Sequence, residues 1–192
     1  VTDGPLTLQS FYKYDIASGL QEATIPSPFV GSGTFCAAAW APSLMSSQAV
    51  SGTLTLGDTA FSGASTRSIS YSVIQGTATV GSGSILCSAP STAFAINLPA
   101  SATGAADLVL DGSSFLKRKV NLTLTGSNLA VGTITMQNGD VDGTGEVDAA
   151  DIDQVIAAFG NMGDNVEDVD VSDEVDAADI DIVIANFGGM DD

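Results

Sequence analysis

The sequence predicts a mainly β protein with a small α C-terminal domain: an antiparallel β-sandwich over residues 1–137, then a pair of loop-helix units over 138–192. Three observations carry this expectation. Short runs rich in β-branched residues fill the chain from Leu6 to Met136, with Gly-Ser-Gly, Pro-Ser-Pro and Asp-Gly-Ser-Ser as breakers between them. Charge is segregated, because all five basic residues and only six acids lie before Asn138, and the remaining 17 acids crowd into the end of the chain without a Lys or Arg. The phrase GDVDGTGEVDAADIDQVIAAFG, starting at Gly139, returns as DVDVSDEVDAADIDIVIANFG from Asp168.

The first domain reads as eight to ten strands: LTLQSFYKY, TFCAAAW, AVSGTLTLG, RSISYSVIQG, TATVGSGSILC, TAFAINL, ADLVLDG, KRKVNLTLTG and LAVGTITM. Turn signals every 8–15 residues or so suit a sandwich, with jelly-roll and immunoglobulin-like topologies both open. Trp40 follows Cys36 too closely for the antibody pattern. A long Gly/Pro/Ser-containing connection separates the first strand from Thr34. That strand either folds back into its own sheet or pairs with a neighbouring subunit.

Little in this domain can do chemistry. Histidine is absent, and the four acids from Glu22 to Asp111 are scattered, so no nucleophile, base and orienting group come together. Asp107 and Asp111 form the nearest thing to a glycosidase pair, but their LVL spacer and following Gly read as a strand end and turn. The protein is therefore expected not to be an enzyme. Lys117, Arg118 and Lys119 read as charges guarding a strand edge, with an anion-binding patch as the alternative. Cys36 and Cys87, 51 residues apart, fit no redox or zinc motif and are expected to form one disulfide, which implies an oxidising compartment, with two buried free thiols as the alternative. Asn121 opens an Asn-Leu-Thr acceptor for N-linked glycan. Val1 reads as an end left by signal cleavage, and no apolar run is long enough to span a bilayer. Extracellular or cell-surface residence is the expectation. A formal charge of −18 repels nucleic acid and anionic membrane and attracts cations.

The repeat carries the chemistry. With an offset of 28 residues, thirteen of the fifteen positions from Glu146 to Gly160 recur in Glu174 to Gly188. Counted from Asp140, the oxygen-bearing positions 1, 3, 5, 7, 9 and 12 of a calcium loop are Asp140, Asp142, Thr144, Glu146, Asp148 and Asp151, with position 7 giving its carbonyl. In the second copy they are Asp168, Asp170, Ser172, Glu174, Asp176 and Asp179. Calcium is a hard cation that takes six to eight oxygens, and a wrapped loop with alternate side chains turned inward supplies them. Gly145 holds the sharp turn at position 6, and Asp173 stands there in the second copy at some cost in strain. Each loop runs into a helix. Ile152, Val155, Ile156 and Phe159, repeated as Ile180, Val183, Ile184 and Phe187, form one apolar stripe per helix. Gly160 and Gly188 supply the stops. Burying the two stripes against each other is what a duplicated unit achieves and a single one cannot.

From about Gly139 to Gly188 the chain resembles a dockerin domain, carried by the DVDGTGEVDAAD loop, the IDQVIAAFG helix and their second copy. The resemblance implies two bound calcium ions and a helix pair that docks onto a cohesin domain in extracellular assemblies. Where that family often has Ser-Thr at positions 10 and 11, this chain has Ala149-Ala150 and Ala177-Ala178. The expected function is therefore a structural or assembly role, with a calcium-stiffened module joining the sandwich to a cohesin-like domain or to another copy in a surface filament. The alternative is a carbohydrate-binding module, whose stacking candidates would be Phe11, Tyr12, Tyr14, Trp40 and Tyr71.

Overall fold

The computed structural model describes residues 13–14, 21–22, 47–62 and 65–192. Cys36, Trp40, Phe11, Tyr12 and the expected strand at Thr34 lie outside them, as does most of the first strand. Of that region, β1 (Lys13–Tyr14) and β2 (Gln21–Glu22) form an antiparallel pair within the unit Val1–Ala41.

The unit Pro42–Asp192 holds the rest. Alternation of side chains sets its strands: β3 (Ser47–Leu56), β4 (Arg67–Gln75), β5 (Ala78–Cys87), β6 (Ser91–Pro99), β7 (Thr103–Gly112), β8 (Ser114–Thr125) and β9 (Leu129–Met136). Each corresponds to a run legible in the sequence. In β6, Phe94, Ile96 and Leu98 turn inward while their neighbours face out, and Ala106, Leu108 and Leu110 do the same in β7. A three-residue strand, β10 (Asn138–Asp140), completes one sheet in the order β10-β8-β7-β4-β5, and the second sheet runs β6-β3-β9. The inner faces close on a core of Val50, Leu54, Ile69, Val73, Leu108, Leu110, Phe115 and Met136, among others. Burial of such apolar faces is the main stabilising term.

The sandwich departs from the expected antiparallel scheme at one pair. β9 runs parallel to β3, with a register shift at Ser51/Gly52. Close approach makes glycine necessary there, since a Cβ on Gly52 would sit 2.5 Å from the Gly132 carbonyl oxygen.

Helices α1 (Ala149–Ala158) and α2 (Ala177–Ala185) follow, each opened by a capping box: Asp148 with Asp151, and Asp176 with Asp179. They share a second core of Val141, Val147, Val155, Ala158, Val169, Val175 and Val183, together with Leu116 from β8. Apart from Ala158 and Leu116, these fall into pairs 28 residues apart. The backbone wiring is crossed in the same way. Gly160 N–H donates to the Val175 carbonyl and Gly188 N–H to that of Val147, both at 2.8 Å. Single bridges join Glu146 to Met190 and Met162 to Glu174. Each loop is thus tied down by the segment that follows the other copy's helix.

The stripes are buried only in part. Val155 and Val183 are fully buried, but Ile156 and Ile184 are each 54% exposed, and Phe159 and Phe187 each 57%. Helices this short meet along one line of contact, and Phe159 stands at the C-cap, where the chain has already left the helix. Ala158 takes the inward place that the periodicity gave to phenylalanine.

Candidate metal loops and their seat on the sandwich

Three of the six predicted oxygen donors in each loop come together. Carboxylate oxygens of Asp140, Asp142 and Asp151 lie within 4.8 Å of one another, as do those of Asp168, Asp170 and Asp179. Asp151 is fully buried and accepts from Val141 N at 2.7 Å, Asp142 N at 3.0 Å and Asp148 N at 2.8 Å. Asp179 accepts from Asp170 N at 3.0 Å and Asp176 N at 2.8 Å. The acid at position 12 therefore closes the loop and caps the helix at once. Asp148 and Asp176 receive the N–H groups of Ala150 and Ala178 as N-caps. Thr144 N donates to Asp142, and Ser172 N to Asp170. The Ser172 hydroxyl turns to the Glu174 carbonyl at 3.2 Å, and the side chains of Glu146 and Glu174 are exposed, consistent with carbonyl-only roles.

The turns adopt the expected left-handed backbone at Gly145 (φ 86°) and Asp173 (φ 78°). Position 4 adds a feature the sequence reading missed. Gly143 has φ 72° and its counterpart Val171 has φ 63°, a costly conformation for a β-branched residue. Packing of the sandwich holds it there. The β3–β4 connection donates Ala60 N to Asp170 O at 2.6 Å and Ser62 N to Val171 O at 2.9 Å, and the Ser62 hydroxyl to Ser172 O. Ser65 Oγ reaches Asp173 at 3.2 Å, and Asn138 Nδ2 reaches Val169 O at 2.6 Å.

Arg67 is the centre of this seat. It leaves β4 buried, pairs with Asp164, and donates to the carbonyls of Asn165 at 2.9 Å and Asp168 at 2.7 Å. Burial lowers its pKa, with the charges of Asp168 and Asp179 opposing that shift. Sequence reading gave no role to this arginine, whose partners lie about a hundred residues further along the chain. The basic triplet also departs from expectation. Lys117 pairs with Asp111 at 3.9 Å and Asp191 at 3.7 Å, and Arg118 with Asp192 at 2.5 Å. Lys117 N and Lys119 N donate to the same two terminal acids. The triplet thus fastens the chain's last residues along β8. Asp107 and Asp111 both lie within β7, and Asp111 is engaged by Lys117.

Cys87 is fully buried on the inner face of β5, where burial raises its pKa. Its expected disulfide partner, Cys36, is outside the described residues. Asn121 is exposed within β8. Tyr71, half-buried, lies over Gly83 and against the sandwich core rather than standing free for a sugar ring.

Burial, first, and neighbouring carboxylates push the Asp140, Asp168 and Asp179 carboxyls above the usual range, against hydrogen bonds from backbone N–H groups. In the metal-free protein the folded state then keeps protons that the unfolded chain releases, so stability rises as pH falls from neutral toward the unfolded value of about 3.9. Calorimetry in chelator should accordingly give the transition of the loop-helix units a higher Tm at pH 5 than at pH 7. A Tm falling over that interval would contradict these shifts.

Together the elements define a two-sheet β-sandwich carrying a pseudo-twofold pair of acidic loop-helix units. No family model matches the chain, and neither does any curated protein. Two solved structures share its fold, both of a type II cohesin–X-dockerin complex from Acetivibrio cellulolyticus. A chain of the N-terminal interface mutant matches with a TM-score of 0.57 at 19% identity, and one of the C-terminal interface mutant with 0.59 at 18%. Each match covers 74% of this chain and 97% of the other.

Proposed function

We propose that this protein is an exported, non-enzymatic assembly subunit, a β-sandwich whose dockerin-like module binds two calcium ions and joins it to a protein partner. The observation that carries the reading is the repeated pair of uncovered apolar side chains, Ile156 with Phe159 and Ile184 with Phe187. Exposed large apolar groups arranged by a twofold repeat mark a surface built to be covered. Met162 and Met190, also exposed, extend it.

The residues present fit calcium. Each loop offers three clustered carboxylates, with a loop carbonyl and hydroxyl nearby, and the buried Asp140 Oδ1 has no hydrogen-bond partner among the described residues. Asp140, Asp142, Asp151 and the Glu146 carbonyl would hold one ion, and Asp168, Asp170, Asp179 and the Glu174 carbonyl the other. The ions would offset the repulsion among the acids and fix the backbone that presents the apolar pairs. Two divalent ions take the formal charge from −18 to −14, which eases self-association. The partner is a further copy of this chain, in a surface filament, or a cohesin-like domain.

Sedimentation velocity and electron microscopy of the full chain, in calcium and then in chelator, test this. Assemblies, or complexes with an added type II cohesin, should form in calcium, disperse in chelator and fail with Phe159→Ser/Phe187→Ser. Monomers under every condition, with no cohesin bound, would overturn the reading.

A further inference from the structure

The two loops are not equivalent, and the difference lies in what the sandwich places beside the first. In loop two both Asp168 oxygens are engaged, Oδ1 by Ser172 N at 2.9 Å and Oδ2 by Asp173 N at 3.0 Å. In loop one Asp140 Oδ2 accepts from Gly145 N at 3.1 Å, while Oδ1 is buried and has no partner among the described residues. Directly across the β8–β10 ladder from Asp140 stands Ser114, 2% exposed, whose hydroxyl is also buried without a partner among the described residues. Both residues line one cavity of about 280 Å³, together with Asp142, Gly143, Asp111 and Lys117. The two unpaired oxygens do not bond each other.

Ser114 carries a second cost. Its φ is 64°, left-handed backbone that an L-residue adopts at a penalty, at the irregular start of β8 where the register with both β7 and β10 shifts. Glycine would hold that backbone freely. A residue that is strained, buried and unsatisfied at once, opposite the first acid of a metal loop, is the kind of outlier kept by a ligand rather than by folding. A serine hydroxyl is a neutral hard oxygen of the type calcium accepts.

We infer that Ser114, a residue of the sandwich, belongs to the oxygen shell of the ion in the first loop, so that this site is completed across the junction and the second is not. The inference rests on reading Asp140 to Asp151 as a calcium loop. It gives β8 a positioning role that joins metal occupancy at loop one to the sandwich itself.

Calorimetric calcium titration of the full chain tests it, with Asp142→Asn and Asp170→Asn marking which binding event belongs to which loop. Ser114→Ala and Ser114→Gly should each weaken the first site roughly tenfold or more in the Asp170→Asn background and leave the second unchanged in the Asp142→Asn background. Thermal unfolding supplies the second readout. Without calcium, both variants should be as stable as the native chain or more so, because an unsatisfied hydroxyl is gone and glycine also relieves the backbone; with calcium both should be less stable. Site-one affinity within twofold of native would overturn the inference, as would equal losses of stability with and without calcium, the mark of a merely structural serine. If the native chain bound no calcium, the calcium reading itself would fall, an outcome separate from native-like binding by the variants.

Discussion

Chelation of calcium is expected to melt the chain from about Asn138 onward while the sandwich keeps its strands. The helices are ten and nine residues long, too short to persist alone, and their core is made almost wholly of valines. Free calcium at a thousandfold excess over Kd adds about 4.1 kcal/mol per site, roughly 8 kcal/mol for two. That is comparable with the whole stability of an ordinary domain, about 5–15 kcal/mol. The sandwich has its own core, and what it loses lies at the junction: the cover over Leu116, the pairing of β10 with β8 and the partners of Arg67. Far-UV circular dichroism should lose its helical part in chelator, and calorimetry should resolve an early helical transition from a later one. One unshifted transition under both conditions would refute the expectation.

Replacing Arg67 with methionine should cost about 2–4 kcal/mol in saturating calcium. The change strips a donor from the buried Asp168 carbonyl and another from Asn165, and leaves Asp164 unpaired. Asp164 is 43% exposed, so water takes up part of that last loss and the upper end of the buried-pair range does not apply. Arg67→Lys should recover less than half, because an ammonium lacks the planar fork that reaches two carbonyls and a carboxylate together. Urea denaturation measures both variants. A loss below about 0.5 kcal/mol for Arg67→Met, the usual scatter of neutral surface changes, would remove this side chain from the junction.

Strands β3 to β9 were legible because glycine, proline and serine clusters punctuate them and because one face of each is buried, which writes alternation into the chain. β10 was not, since Asn-Gly-Asp reads as a turn and becomes a strand only when β8 offers an edge. The loop donors could be counted from spacing, because local geometry alone brings Asp140, Asp142 and Asp151 together. Ser114 and Arg67 could not, because their roles arise from contacts with distant segments, and neither sits in a local motif. Periodicity found the helical stripes but could not say how much of each stripe is covered. Val155 and Ile156 are neighbours of equal hydropathic weight, one sealed and the other open.

The crossed backbone wiring has a bearing on how the module answers changing conditions. Because Gly188 and Gly189 fasten the first loop, while Gly160 and Asn161 fasten the second, an ion that orders one copy also firms the frame that must receive the other. Filling of the proposed calcium sites would then be cooperative, with half-loaded molecules scarce and occupancy climbing steeply with concentration. On the proposed calcium reading, such a module would act as a threshold device, holding through modest fluctuations of its surroundings and releasing both grips together when supply runs out.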